Sequence, residues 1–305
     1  MKRIAVFAAI VMAFFVMLGV QSCQSTKSAT TSKMLKFNFE KGKGYDYEMI
    51  INLDQEVMGQ PMQIDMTSYY SMDVTGDDGN TKTITTTYDR FKMKMLVSGV
   101  NIEVDSDEPI KADDADDKSM SAQLSKVTGL LGAIKGRQFV MKVNAEGKVE
   151  EVSGFEGMAE AIADSLQLNE KERAKMMSGF NQQFNEKEMK GQFERVLYIF
   201  PNKEVKVGDS WEKTTSAGKQ MGGGTYTSTY TVKDIEGEMV TLEEKSKINA
   251  ASGDGVSGNI SGILTVDSKT GLVVDADQEM SLKTKAEGME IEIKGKMKVK
   301  GKARQ

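Results

Sequence analysis

The feature that most constrains this chain is an apolar–polar alternation of period two that persists across its first third. Tyr45, Tyr47, Met49, Ile51 and Leu53 alternate with polar residues. After Met58-Gly59-Gln60-Pro61, which reads as a turn, Met62, Ile64, Met66, Ser68, Tyr70, Met72 and Val74 continue the alternation. Successive side chains of a strand point to opposite faces, so the pattern predicts long strands with one buried and one wet face. At ~3.3 Å per residue the second run spans roughly 40 Å. Thr75-Gly76-Asp77-Asp78-Gly79-Asn80 supplies hairpin chemistry. On the return, Ile84, Thr86 and Tyr88 share one parity, whereas Phe91, Met93, Met95 and Val97 share the other. That switch predicts a β-bulge near Asp89-Arg90.

The alternation then breaks. Residues 103–118 are rich in Asp and Glu and read as an acidic loop. A solvated loop is the simpler reading and a calcium site the sharper one; EF-hand spacing with its central Gly is absent. Met120, Leu124, Val127, Leu130, Leu131 and Ile134 fall at helical spacing and predict an amphipathic helix over 118–134. A hairpin follows, with Phe139, Met141 and Val143 before a turn at Ala145-Glu146-Gly147. Residues 155–200 read as helical. Asn169 with Glu172, and Asn185 with Glu188, have capping-box spacing. Met158, Ile162 and Leu166, then Met176, Met177 and Phe180, then Phe193, Val196, Leu197 and Phe200 mark three apolar stripes. From residue 201 the pattern is β again, with turns at Gly208-Asp209, Glu236-Gly237, Asp267 to Gly271, and Glu287-Gly288. Thr67–Val74 resembles Thr227–Asp234, which either a distant duplication or shared β composition explains.

Composition limits the chemistry. The chain has no histidine, which removes the commonest general base and transition-metal ligand. The net charge of −5 argues against nucleic acid as a partner. Twenty-two methionines against 7% aromatic residues suggest a soft, adaptable interior. Gly208-Asp209-Ser210-Trp211 has no histidine to activate its serine, and reads as a turn that places a core Trp. Gly222-Gly223-Gly224 lacks the Lys of a phosphate loop and leads into a strand. The Met pairs fit strand alternation better than a copper site. No metal site and no cofactor are expected. Lys294, Lys296, Lys298, Lys300, Lys302 and Arg304 share one parity. They read as the guard of an exposed edge strand, with contact to anionic headgroups or a partner protein as the sharper alternative.

The N-terminus carries an address. Lys2 and Arg3 precede an apolar run over 4–20, too short to be a stable span, with the layout of a secretory signal. The segment ends Val20-Gln21-Ser22-Cys23, and Cys23 is the one cysteine of the chain. A small residue directly before that cysteine resembles a lipobox, which implies cleavage after Ser22 and acylation of Cys23. Residues 24–33 have no apolar periodicity and read as a tether reaching roughly 15–20 Å. Gln24 is not Asp, and no acidic run follows. By resemblance to lipoprotein sorting rules this implies the outer membrane, its periplasmic face favoured over the cell surface.

The chain resembles a family of uncharacterised Bacteroidota lipoproteins. The resemblance rests on the lipobox, on the segment 136–149, and on Phe200-Pro201 leading into Val205-Lys206-Val207-Gly208-Asp209-Ser210-Trp211, a Val-x-Val-Gly-Asp-Ser-Trp motif. It implies location and fold rather than an activity.

The expected organisation is a signal peptide over 1–22, a lipidated Cys23 and tether over 23–35, an antiparallel β region over 36–154, a helical segment over 155–200, and a second β region over 201–305. The fold class is α+β and β-dominated. Long curved antiparallel sheets are expected, either as two similar halves or as an open half-barrel, with amphipathic helices between and on them. The functional expectation is a non-enzymatic binding module. Its apolar-ligand face would be Met62, Ile64, Met66, Tyr70, Met72, Met93 and Met95, taking a lipid or acyl chain. The alternative is an interaction lipoprotein that docks an envelope partner.

Overall fold

The computed structural model describes residues 31–304, apart from 58–59, 98–99, 109–110, 113–134, 156, 166–167, 184, 219–222, 252–254 and 287–288. The strands are β1 (Lys33–Leu35), β2 (Gly44–Val57), β3 (Gln60–Asp77), β4 (Thr81–Val97), β5 (Val100–Asp105), β6 (Lys111–Ala112), β7 (Gln138–Asn144) and β8 (Val149–Ser153). After helices α1 (Met158–Ser165), α2 (Glu170–Gln183) and α3 (Glu186–Leu197) come β9 (Lys203–Val205), β10 (Ser210–Ser216), β11 (Thr225–Glu236), β12 (Met239–Asn249), β13 (Ser257–Asp267), β14 (Leu272–Ala286) and β15 (Met289–Ala303). The predicted helix over 118–134 and the lipobox lie outside the described residues.

The period-two segments form the long strands. β3 runs for 18 residues and pairs with β2 from Val57↔Gln60 to Gly44↔Asp73. The expected turn at 58–61 is therefore shorter, because Gln60 and Pro61 already belong to β3. The β3–β4 hairpin is built by its aspartates. Asp78 Oδ1 accepts from the amides of Asn80 (2.9 Å) and Thr81 (2.7 Å), and Gly79 takes a positive φ of 92°. The predicted bulge is present: Tyr69 pairs with Arg90 and Tyr70 with Tyr88, which leaves Asp89 as the extra residue. It keeps Tyr88 and Phe91 on one face despite their opposite parity.

The two β regions are not separate sheets. One 13-stranded sheet runs β10-β11-β12-β13-β14-β15-β2-β3-β4-β5-β6, with β7 and β8 branching from β4, and every described pairing is antiparallel. The first half of β4 pairs with β7 and the second half with β5, so the sheet forks there. β15 joins the chain's two β regions by pairing with β2 from Ile293↔Gln55 to Ala303↔Tyr45. β15 is thus an interior strand, and the edge-strand expectation for its lysines is overturned.

The sheet is open and curls. Glycines stand at inward positions where a side chain would collide: a Cβ at Gly262 would lie 2.2 Å from the Asp277 carbonyl, and one at Gly301 2.2 Å from that of Val273. Helix α3 packs against both β8 and β10, the strands at the two ends of the curl. Gly191 lies at this approach, where a Cβ would stand in ordinary contact with the Ser216 carbonyl at 3.6 Å. Asn185 caps α3 by accepting from the Glu188 amide (3.1 Å), and Asn169 and Glu172 form the reciprocal capping box of α2. Val196 of the predicted α3 stripe is exposed, because Met189, Phe193 and Leu197 define the face turned to the core.

One end of the curl is packed solid. Leu35, Phe37, Phe39, Tyr45, Phe139, Met141 and Phe200 are all at most 2% exposed. Phe39 stacks on Tyr45 at 3.8 Å between ring centroids. The small β1–β9 sheet lies here, and Trp211 donates its indole N–H to the Ile199 carbonyl (2.7 Å) while stacking on Tyr230.

The expected acidic loop begins as strand β5. Ile102 and Val104 turn inward, and Glu103 and Asp105 face outward toward basic residues of β4. Arg90 grips Asp105 with two hydrogen bonds, at 3.0 and 2.6 Å, and Lys94 pairs with Glu103 at 2.7 Å. Among the described residues no acidic group has the arrangement of a metal site. The Arg90 hydrogen bond holds the Asp105 carboxyl down at about 2. A depressed folded-state value adds stability above the unfolded carboxylate value near 4, and that stability fades as pH falls toward 2. Arg90→Ala should therefore lower the urea midpoint at neutral pH, and the gap to wild type should narrow by pH 2. A gap independent of pH would mean that Arg90 acts through something other than this ion pair.

Candidate functional site

The register places one residue of each long strand in a row across the inner face. The row runs Tyr230, Glu244, Gly262, Gln278, Met297, Ile51, Met66, Met93 and Val104, from β11 to β5. The next row, one step further from the packed end, runs Ser228, Ser246, Ile260, Met280, Gly295, Leu53, Ile64, Met95 and Ile102. The first row turns apolar between β14 and β15, and the second already between β12 and β13. The polar groups are Tyr230, Glu244, Gln278, Ser228 and Ser246, whereas from β15 to β5 both rows carry Met, Ile, Leu and Val apart from Gly295.

The apolar wall is distinct from the packed end. Met49, Ile51, Leu53, Met62, Ile64, Met66, Met93, Met95 and Met297 are all half-buried, although they point to the same face as fully buried Tyr45 and Met72. The aromatic packing stops at the level of Tyr47 and Tyr70, which stack at 5.1 Å. Beyond it the face is lined by unbranched thioether side chains, which reshape their surface at low cost. Gln55 touches this wall, donating its amide to the Met62 sulfur (2.8 Å).

The polar wall centres on Glu244, which is 2% exposed. Its Oε1 accepts from Ser246 (2.5 Å), Tyr226 (3.3 Å) and Ser228 (3.4 Å), and its Oε2 accepts from Gln278. The two serine hydroxyls are themselves 2.7 Å apart. Gln278 reaches Glu244 from two strands away because Gly262 stands between them without a side chain. Burial, and then the Glu244 charge, push the Tyr226 and Tyr230 phenols well above their ordinary range, so both stay protonated. A polar crevice of about 570 Å³ lies elsewhere, where α3 fills the seam between β8 and β10, with Lys148, Lys187, Lys190 and Glu194 on its walls.

The expected ligand face is brought together in part. Met62, Ile64, Met66, Met93 and Met95 share the half-buried wall. Tyr70 and Met72 do not: Met72 pairs with Tyr45 at 1% exposure, and Tyr70 stacks within the packed end. The alternation marks the inward face correctly but not where along the strand the interior is already filled. Met49, Met280 and Met297 belong to the wall and were not assigned to it. The Glu244 network was missed, although its signal is in the sequence. Val240, Leu242, Glu244, Ser246 and Ile248 share one parity, and Glu and Ser interrupt an apolar run.

Lys294, Lys296, Lys298 and Lys300 are exposed on the outer face, between two acidic rows. Their register partners include Asp275, Asp277 and Glu279 of β14 and Glu48 and Asp54 of β2. Lys296 pairs with Glu279 at 3.3 Å and Lys298 with Asp277 at 3.2 Å. Lys296 and Lys298 are thus paired with β14, and Lys294 and Lys300 stand opposite Asp54 and Glu48 of β2. Cys23 lies outside the described residues. Among the described residues no helix is long and apolar enough to cross a membrane.

The open sheet with its two-walled interior defines a β-dominated α+β domain. The chain belongs to the family of unknown function DUF6263, which matches residues 79–273, from the β3–β4 turn to the start of β14. No curated protein matches the chain. Among solved structures, the translocator domain of autotransporter NalP from Neisseria meningitidis is 8% identical. That match covers 86% of this chain and 88% of that one at a TM-score of 0.32, too low to carry an argument.

The division of the inner face is measurable. Met72→Ala should cost about 2–5 kcal/mol in denaturant unfolding, as for a methionine deleted from a packed core. Met66→Ala should cost well under half of that. Equal losses would show that the two methionines share one filled core.

Proposed function

We propose that this protein is a lipid-anchored envelope protein, non-enzymatic, that binds an apolar ligand such as a lipid or acyl chain on the methionine wall. The observation that carries the reading is the half-buried wall itself. It continues the inward face of the packed end, but with adaptable Met and aliphatic side chains in place of interlocked aromatics. Ligand sites are concave and mostly apolar with a few placed polar groups, and the inner face has both elements. The absence of histidine from the sequence supports a role without general acid–base chemistry.

The anchoring part of the proposal rests on Lys2-Arg3, the apolar run and Cys23. It places the mature protein on the outer membrane, facing the periplasm. Cys23→Ser should abolish incorporation of a labelled fatty acid and release the chain from the membrane fraction. Label retained by that variant would rule out Cys23 as the acylated residue.

The ligand part is tested on Ser32–Gln305, which forms one compact unit holding every described element. Native mass spectrometry on this segment, purified from an envelope-expressing host without detergent, should show an added mass that extracts as lipid. Met66→Lys should reduce uptake by at least about tenfold, because a charge on the wall must be desolvated when the ligand lands. Its melting temperature should stay close to wild type. A clean apo mass with no uptake from a lipid mixture would sink the reading and direct the search to protein partners.

A further inference from the structure

The Glu244 network takes no part in holding an acyl chain, and its chemistry points to the other end of such a ligand. Resting on the apolar-ligand reading, we infer that the ligand is an amphiphile with a cationic amine at its polar end. The amine sits against Glu244, and the tail lies over the methionines of β15, β2, β3 and β4.

Two observations converge on this assignment. The first is the partner set of the carboxylate. A buried carboxylate is costly unless a cation or strong donors compensate it. Tyr226, Ser228, Ser246 and Gln278 are the partners of Glu244, and all four are neutral. Arg195 of α3, which feels the charges of Tyr226 and Glu188, directs its guanidinium to the Ser216 carbonyl instead (3.1 Å). The second is position. Gln278 crosses above Gly262 to Oε2, and its own neighbour on β15 is Met297, the first methionine of the apolar row. An uncharged N–H therefore stands between the carboxylate and the methionine wall, where an ammonium would be both paired and joined to a tail. In the complex the ammonium takes the place of the Gln278 amide on Oε2.

The dimensions agree. From β14 to β4 is four strand spacings of ~4.8 Å, roughly 19 Å. That is comparable to half of the ~30 Å hydrocarbon thickness of a bilayer, the length available to one acyl chain. An anionic head of the same tail length would meet the Glu244 charge without a counter-ion.

The test compares dodecylamine, dodecanol and dodecanoate on Ser32–Gln305 by competition for a fluorescent acyl probe. Dodecylamine should bind about tenfold or more tightly than the alcohol, and dodecanoate most weakly. Glu244→Gln should abolish the preference for the amine over the alcohol. Gln278→Ala removes the amide standing in the ammonium's place, and should widen the preference for the amine over the alcohol. The second variant keeps the test decisive should Glu244→Gln fail to fold. Equal binding of the three probes by wild type would overturn the amine assignment and leave the apolar-ligand reading intact. No binding of any of them would sink both.

Discussion

The ladder between β15 and β2 is the constraint on which the rest of this architecture depends. Eleven register pairs, from Ile293↔Gln55 to Ala303↔Tyr45, join segments some 250 residues apart into one hydrogen-bonded surface. Arg304 fastens the same seam, donating its backbone amide to the Gly44 carbonyl (2.8 Å) and its guanidinium to Asp73, and forming an ion pair with Asp46. Without this ladder the chain would hold two separate sheets, each with an additional open edge. With it, the inward parity of β14 and β15 continues into β2, β3 and β4 without a break in phase. Closing so long a loop is entropically costly, and the pairing is favoured because it buries the apolar face of every strand it connects.

Curvature follows from which residues occupy that shared face. The sheet bends where glycine stands inward, as at Gly262 and Gly301, and it is filled at one end by Phe37, Phe39, Tyr45, Phe139 and Phe200. Among the described residues the strands at the two ends of the curl do not pair with each other. Helix α3 stands between them, held by its Asn185 cap. The interior therefore has a rigid aromatic end and a methionine-lined remainder. The same absence of a side chain at Gly262 that lets the sheet bend also lets Gln278 reach Glu244, so curvature and the polar wall have one cause.

The outer face shows how a sequence pattern changes meaning once its neighbours are known. Alternating lysines at 294–300 look like the guard of an exposed edge when read along one strand. Between β14 and β2 they are one column of a charge lattice with Asp275, Asp277 and Glu279 on one side and Glu48 and Asp54 on the other. Cross-strand pairs of opposite charge favour this register over a slipped one. β5 makes the same point: Glu103 and Asp105 look like part of a loop until Lys94 and Arg90 are placed opposite them.

Local physics was legible from the residues alone. Period-two alternation set which side chains of β2, β3 and β4 face inward, the parity switch located the Asp89 bulge, and Asn169 and Asn185 marked helix starts, because each depends only on near neighbours in the chain. How far the interior is filled was not legible. Met66 and Met72 sit on one strand with one parity, yet one lines a half-buried wall and the other a packed core. The difference is whether Phe39, Tyr45 and Phe139 arrive from elsewhere in the chain. The network of Glu244, Ser246 and Gln278 was visible only as a lapse in apolar alternation. Its assembly needed the register of three strands and the gap at Gly262. The sequence by itself determined the strands, their faces and their turns, since these follow from interactions between residues close along the chain. Tertiary structure alone decided that the ends join, that the lysines stand between acidic strands and that Gln278 bridges from the strand beside Met297 to the Glu244 carboxylate, since those depend on pairings between residues far apart in sequence.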